Sequence, residues 1–302
     1  MSWEVAAAAV TLDLLLGDPG WAPHPVRALG WWVTRAERTA RRMFGATRSA
    51  GIVMWLSTVG IAVGIVWLSP GWLDLYWVYS LLAIRSLDRE SQRVLRRLDE
   101  DDLAGARKAL SWIVGRDTEQ LEAPEIRRAV LETVSENTSD GITAPLFYLA
   151  LAGAPGMAAY KAINTLDSMV GYRDDRWREM GWFSARVDDA ANWIPARLTA
   201  LFAVVAAALL RLDWRSAWRT AWRDGGSQPS PNAGWPEAAF AGALGVRLGG
   251  TSSYEGRESE KPCLNQEGRV PDQSAVKRGR ALLYGTAFVA VAASLAAIAW
   301  RA

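Results

Sequence analysis

The sequence predicts an all-α, polytopic integral membrane bundle of about five membrane segments, one of them broken or re-entrant, with an active site built on loops. Three observations carry this prediction. Half of the 302 residues are hydrophobic while the mean hydropathy is near zero, so strongly apolar segments alternate with strongly polar ones. Seventeen residues are Trp, and an amphipathic indole is at home where a membrane meets water. Polar residues suited to holding metal and phosphate gather between Glu132 and Arg197, in clusters separated by apolar sequence.

Val5 to Leu16 reads as a short first helix carrying Asp13. A carboxylate at mid-membrane costs roughly 2.5–3.5 kcal/mol, so Asp13 belongs near the interface or has a function. The loop GDPGWAPHPVRALG at 17–30 is shaped by its prolines and displays His24 and Arg27. Arg35, Arg38, Arg41, Arg42 and Arg48 follow, with Glu37 the only acid between 31 and 50, and the positive-inside rule puts this block in the cytoplasm. Ile52 to Leu68 is the clearest span. Ser69-Pro70-Gly71 then turns the chain and Trp72 to Ile84 returns as a shorter helix, making 51–84 a hairpin whose tip faces outward.

Residues 85–130 read as a cytoplasmic helical insertion of two amphipathic helices. Leu87, Val94, Leu95 and Leu98 mark the first; Leu103, Ala106, Leu110 and Ile113 mark the second, which has an Asp-rich start and Gly115 past its end. In the next helix Ile126, Val130 and Val134 form a stripe about 200° from Glu132, Glu136 and Asp140, which recur every four residues. Like charges at that spacing repel, and a divalent cation or a cationic partner would relieve them. Taken alone, the triplet is a solvated helix face.

Ile142 to Tyr160 is long enough to span, but Pro145 and Gly153-Ala154-Pro155-Gly156 divide it. A pair of half-helices would keep the acidic triplet on the same side of the bilayer as the next cluster, Lys161, Asn164, Asp167 or Ser168, and Gly171. Arg186, Asp188, Asp189 and Asn192 form a third cluster within seven residues. Ile194 to Leu210 is another apolar helix, with Arg197 in its first turn. Residues 224–276 read as a cytoplasmic active-site loop followed by a variable loop. Ser230, Asn232 and Glu237 stand on a Pro/Gly frame that lacks the Lys-Ser or Lys-Thr of a Walker A motif, and Thr251 to Lys277 is polar and mobile. Ala281 to Trp300 is the final span, flanked by Lys277, Arg278 and Arg280. The whole, 1–302, reads as one integral membrane domain without a signal peptide.

Composition also excludes several functions. A net charge of +2 without a basic face interleaved with aromatics argues against a nucleic-acid partner. Cys263 is the only cysteine and His24 the only histidine, which rules out a disulfide framework, a Cys-based zinc site, an iron–sulfur cluster and HExxH chemistry.

Four stretches, in order, carry a resemblance: LDLLLGDP with PHPVRALG, ETVSENTSDGITAPLFY, YKAINTLDSMVGYRDDRWREMGWFSARVDDAANWIPARLTAL, and PSPNAGWPEAAFAGALGVRLGG. Together they closely resemble the CbiB/CobD family of cobalamin-biosynthesis membrane proteins, the adenosylcobinamide-phosphate synthases. The resemblance covers nearly the whole chain; only 251–276 looks idiosyncratic and supports no site assignment. It implies an ATP-dependent amide ligation of adenosylcobyric acid to (R)-1-amino-2-propanol O-phosphate, with Mg²⁺, at the cytoplasmic face of the cell membrane. In that light His24, Glu136, Asp140, Lys161 and Asp167 are expected to be catalytic. Glu136, Asp140, Asp167, Asp188 and Asp189 are the expected metal ligands. Asp18, Arg27, Asn137, Asn164, Ser168, Arg186, Asn192, Arg197, Ser230, Asn232 and Glu237 are expected to bind substrate or phosphate. The expected partners are the corrinoid, aminopropanol phosphate and the lipid bilayer, with a homo-oligomer or other cobalamin-assembly enzymes left open. Two rivals remain: a Mg²⁺-dependent prenyl or diphosphate transferase, loosely echoed by Asn164, Asp167, Asp174 and Asp175, and a non-catalytic corrinoid-binding membrane protein or transporter.

Overall fold

The computed structural model describes residues 2–21, 23–172, 174–254 and 256–301. It is mostly helical. The first helices are α1 (Trp3–Leu16), α2 (Pro25–Phe44), α3 (Arg48–Leu68) and, after a 3₁₀ turn at Gly71–Leu73, α4 (Asp74–Leu81). Then come α5 (Ile84–Asp99), α6 (Leu103–Leu110), α7 (Ala123–Thr138), a π-helical segment at Ser139–Thr143, and α8 (Ala144–Val170). The chain continues through α9 (Trp182–Ala191), α10 (Trp193–Leu209), α11 (Trp214–Asp224) and α12 (Gly234–Leu244). It ends with strands β1 (Leu248–Tyr254) and β2 (Arg257–Leu264) and helix α13 (Gln273–Arg301).

Three helical runs, Arg48–Leu68, Ala123–Val170 and Gln273–Arg301, are long and apolar enough to cross a membrane, and α9 with α10 makes up to a fourth as a broken pair. Only 28% of the α3 window is buried inside the protein. Its remaining face, with Leu56, Ile65, Trp67 and Leu68 exposed, suits lipid. Exposed Trp3, Trp72, Trp193 and Trp300 fit the interfacial habit of indole.

Two expectations need correction. The run Trp72 to Ile84 is a 3₁₀ turn plus an eight-residue helix; at about 1.5 Å per residue, eight residues span about 12 Å, far short of the hydrocarbon core. The fold is also not all-α. The segment read as polar and mobile from 251 holds an antiparallel hairpin pairing Gly250 with Lys261 and Tyr254 with Arg257. It escapes pattern reading because β2 is exposed along nearly its whole length, so its residues show no apolar alternation. Backbone pairing and Asp117 hold it: Ser253 Oγ and the Gly256 N–H donate to Asp117 Oδ2, and the Asp117 N–H donates to the Ser253 carbonyl.

The chain divides into two compact units. One comprises Met1–Ala83, Ala144–Trp193 and Val291–Ala302. Its core packs Val33 and Ala40 of α2, Ala50 and Met54 of α3, and Leu166 and Val170 of α8 with Met180. The predicted break in α8 is present. Gly153 has φ 68° and ψ −163°, a conformation open to glycine and strained for other residues, two residues before Pro155. The carbonyls of Ala150 and Leu151, which end the first half-helix, accept from Arg301 Nη1 at 2.7 and 2.8 Å.

The other unit comprises Ile84–Thr143 and Ile194–Ala290. The apolar stripe of α7 is buried as predicted, but so is Glu132 on its other side. Gly249, at φ 79°, begins the hairpin where a Cβ would lie 2.3 Å from the Pro262 carbonyl oxygen. Asp88 of α5 is 1% exposed. It accepts from Arg280 Nε at 2.6 Å and Nη2 at 3.2 Å, from Tyr284 Oη at 2.8 Å and from Gln92 Nε2 at 2.6 Å. Burial alone would raise its pKa, but these donors together hold it below the usual 3.8.

Asp88→Ala, by leaving Arg280 unpaired, should lower the unfolding free energy by about 3–5 kcal/mol in denaturant titrations in detergent. Because the Asp88 pKa is depressed on folding, its contribution is present above pH 3.8 and is lost as the pH falls through the folded value. The variant should therefore lose less stability on acidification than the wild type.

Candidate functional site

Most of the expected polar residues fall into separate groups inside the two units. In the first unit, α8 and α9 build an oxygen-rich cluster around Asp188, which is buried. Asn192 Nδ2 donates to Asp188 Oδ2 at 2.9 Å, and Tyr160 Oη donates to Asn192 Oδ1 at 2.8 Å. Tyr148 stacks on Tyr160 with ring centroids 5.2 Å apart and donates to the Ala191 carbonyl at 3.0 Å. These bonds fix Asp188 and Asn192 through side chains that are themselves packed. Asp167, Asp189 and Asn164 lie within reach of the Asp188 charge, and Asp188 Oδ1 is buried with no hydrogen-bond partner.

Among the described residues, no three of His, Cys, Asp and Glu stand close enough to hold a metal ion by themselves. Mg²⁺ that arrives on nucleotide phosphates asks less of a protein, typically one or two carboxylates with water and phosphate oxygens completing the shell. Asp167 and Asp188, with only oxygen donors and one unsatisfied buried oxygen between them, fit that demand.

Other expected residues of this unit are placed differently. His24 caps α2: its Nδ1 accepts from the Val26 N–H at 3.3 Å while Nε2 lies 3.1 Å from Asp18 Oδ1, so both ring nitrogens are engaged. Tyr76 Oη and Tyr79 Oη hold the same loop through the carbonyls of Pro23 and Gly17. Arg27, Arg186 and Ser168 are exposed; Arg27 donates to the Gly20 carbonyl and Ser168 Oγ to that of Asn164. Lys161 is half-buried on the same helix as Asn164 and Asp167. Asp174 caps a turn by accepting from the N–H groups of Arg176 and Trp177, and the Asp175 side chain is fully exposed.

In the second unit Arg197 lies over the Trp235 ring, 4.6 Å from its centroid, with Nη1 3.5 Å from Asn232 Oδ1. Ser230 Oγ accepts from the N–H groups of Asn232 and Ala233 and so shapes that turn. A guanidinium stacked beside an amide is a familiar way to hold phosphate. Asn137 Nδ2 turns back to the Thr133 carbonyl, and Asp140 lies half-buried in the π-helical segment.

Glu136 and Glu237 share a second buried group with Arg116, Glu132, Tyr254 and Lys261, of which sequence reading had named only Glu132, in its acidic triplet. Arg116 Nη2 donates to Glu132 Oε2, and the Gly249 N–H donates to Glu132 Oε1 at 2.8 Å. Lys261 lies with its Nζ 5.9 Å from the Tyr254 ring centroid and within reach of both Glu136 and Glu237. The 251–276 segment thus brings a half-buried lysine to this acidic group. One signal could have found it: only four of the 34 basic residues are Lys, so a lysine is a marked choice in this chain. Burial first, then the charges of Glu136 and Glu132, push the Glu237 carboxyl well above its usual 4.5, against the pull of Lys261 and Arg116.

The folded protein therefore keeps a proton on Glu237 that the unfolded chain releases above pH 4.5, so stability falls as the pH rises. Glu237→Gln fixes the neutral form. Its melting temperature should decline less than that of the wild type between about pH 5 and pH 9. A parallel decline in the two proteins would show that Glu237 is ionised in the folded state.

Residues 6–283 match the sequence profile described as CobD/Cbib protein. The chain is 47% identical over 292 residues to the cobalamin biosynthesis protein CobD of Geobacter metallireducens, covering 93% of this chain and 92% of that one. It is 46% identical over 314 residues to the cobalamin biosynthesis protein CbiB of Salmonella arizonae, covering 99% and 98%. Klebsiella pneumoniae CobD is 45% identical over 314 residues, with the same coverage. No solved structure matches the chain.

Proposed function

The chain belongs to the CobD/CbiB family of cobalamin-biosynthesis proteins, and from that premise we propose that it is an ATP-dependent amide ligase. It joins the free carboxylate of adenosylcobyric acid to the amine of (R)-1-amino-2-propanol O-phosphate, giving adenosylcobinamide phosphate. The observation that carries this proposal is coverage: the likeness to cobalamin-biosynthesis proteins runs over more than nine tenths of this chain and of theirs. The proposal also places the protein in the cell membrane as a multi-pass chain, with the arginine block at 35–48 on the cytoplasmic side.

A carboxylate at neutral pH is a poor electrophile. Transfer of the γ-phosphoryl group of ATP to it gives an acyl phosphate and ADP. The deprotonated amine then attacks the acyl carbon, and inorganic phosphate leaves as the amide forms. The protein's share is positioning and charge stabilisation. Asp167 and Asp188 would hold Mg²⁺, which neutralises phosphate charge when bound. Asn192 and Tyr160 keep Asp188 in one orientation for that task. Within the first unit Lys161, on the helix that carries Asp167, suits phosphate oxygens; within the second, the stacked Arg197 with Asn232 is by itself suited to an anionic group. His24, engaged at both nitrogens, keeps the 17–24 loop in shape.

The test is to incubate purified protein with adenosylcobyrate, ATP, Mg²⁺ and amine, and to weigh the product. Amide product should appear only when all four are present. A transporter or a scaffold would give none, and a prenyl transferase would instead consume a prenyl diphosphate. Ethanolamine phosphate, which lacks one methyl, should react about 10–200-fold less efficiently. Asp167→Asn should abolish ligation while the protein still purifies folded from membranes. Full activity in that variant would remove Asp167 from the site.

A further inference from the structure

A cavity of about 180 Å³ lies wholly within the second unit, where α5, α7 and the start of α13 meet, and none of the residues expected to bind substrate or metal lines it. Its charged lining is basic: Arg96 of α5, Arg127 of α7, and Lys277 and Arg280 of α13 stand against one carboxylate, Asp99. Arg280 is committed to Asp88 through Nε and Nη2. Arg127 is half-buried, and neither it nor Lys277 makes a hydrogen bond or ion pair among the described residues. Arg96 bonds a neutral group, its Nη2 donating to Gln92 Oε1 at 3.2 Å. Asp99 accepts from Gln273 Nε2 at 2.5 Å. Asp272, just before α13, is engaged elsewhere, with Arg269 and with the Ala275 N–H that it caps.

With Arg280 and Asp88 cancelling, three cations share the cavity with one carboxylate, an excess of two positive charges. Leu98 and Val276, both buried, form part of its wall, and apolar walls concentrate the field of charges held around a cleft. We propose that this cavity is a binding site for a phosphate dianion, free or as a monoester. A dianion balances the excess, whereas a carboxylate or a phosphodiester would leave one positive charge over. Shape agrees with charge. The cations come from three helices, which suits the tetrahedral oxygens of phosphate, while a flat carboxylate is served by a single guanidinium fork. Because Asp272 already caps α13, recognition falls to the side chains. Two sources offer this chemistry here: a soluble phosphate ester, and a phosphomonoester lipid headgroup. The second arises because Lys277 and Arg280 immediately precede the apolar run 281–300, and basic residues beside a span attract anionic headgroups. The site does not rest on the ligase proposal and binds phosphate whether or not the chain forms an amide.

The experiment is calorimetric titration of the full chain in detergent with inorganic phosphate, the ionic strength being held constant with chloride. Arg127→Gln and Lys277→Gln should each weaken phosphate binding about five- to fiftyfold, since each removes a charge-assisted bond. Asp99→Asn keeps an acceptor for Gln273 and removes the opposing charge, so binding should tighten about two- to fivefold. Arg93→Gln, on the same helix but paired with Glu90 and outside the cavity lining, should bind as the wild type does. No saturable phosphate binding by the wild type, wild-type affinity in either Arg127→Gln or Lys277→Gln, or an equal loss in Arg93→Gln would overturn the site. If Arg127→Gln does not fold, Lys277→Gln and Asp99→Asn decide, and level or weaker binding in Asp99→Asn overturns it. Repeating the titration in phosphatidylcholine nanodiscs that carry phosphatidic acid or, at equal surface charge, phosphatidylglycerol separates the two sources. Phosphate affinity at least about fivefold lower with phosphatidic acid identifies a lipid headgroup as the occupant. Equal affinity in the two membranes identifies a soluble phosphate.

Discussion

The second unit depends on one buried ion pair. Arg116, in the loop before α7, and Glu132, in the middle of α7, are both nearly inaccessible, with 8% of each side chain exposed. The free oxygen of Glu132 takes the Gly249 N–H and so fixes where β1 begins. Burial works against the Arg116 charge, and Glu132 more than offsets it, holding the guanidinium above its usual pKa. Removing either partner would leave an uncompensated charge in a low-dielectric interior. Arg128 reinforces the arrangement by donating to the carbonyls of Gly249 and Thr251. With the start of the hairpin held in this way, the register that pairs Gly250 with Lys261 carries the lysine to the acidic group on α7 and α12.

Much of the helical architecture was legible because its determinants are local. The apolar run of α3, the stripe of Ile126, Val130 and Val134, and the Gly153 break with Pro155 all act within a few residues of themselves. What was not legible is non-local or lacks a period. The hairpin is one case, since exposed Arg257, Glu258, Ser259 and Glu260 give no alternation to read. Glu132 is another. On a helical wheel it belongs to a repelling acidic triplet, while its partner Arg116 lies sixteen residues upstream in a loop. The oxygen-rich character of the α8 and α9 cluster could be anticipated from residue type. The Tyr148 and Tyr160 support behind it could not, because tyrosines in an apolar helix look like core.

The two polar groups solve the problem of buried charge differently. Around Asp188, neutral donors carry the load: Asn192 bonds one oxygen, Tyr160 bonds Asn192, and the second oxygen is left open. Around Glu132, charge meets charge directly. Neutral support leaves an anion free to accept a cation, whereas paired support fixes a backbone. The helix break at Gly153 belongs to the same economy. Interrupting α8 frees carbonyls inside an apolar segment, and Arg301, almost at the far end of the chain, satisfies two of them.

The solitary thiol of Cys263 is exposed on β2, two residues beyond Lys261, with its sulfur 3.8 Å from where a Cβ on Gly250 would lie. No other sulfhydryl competes with it. A maleimide fluorophore or spin label coupled to the native sequence would therefore attach at one place only. Its emission or line shape would follow the hairpin in real time as nucleotide and corrinoid are added, with no engineered reporter position.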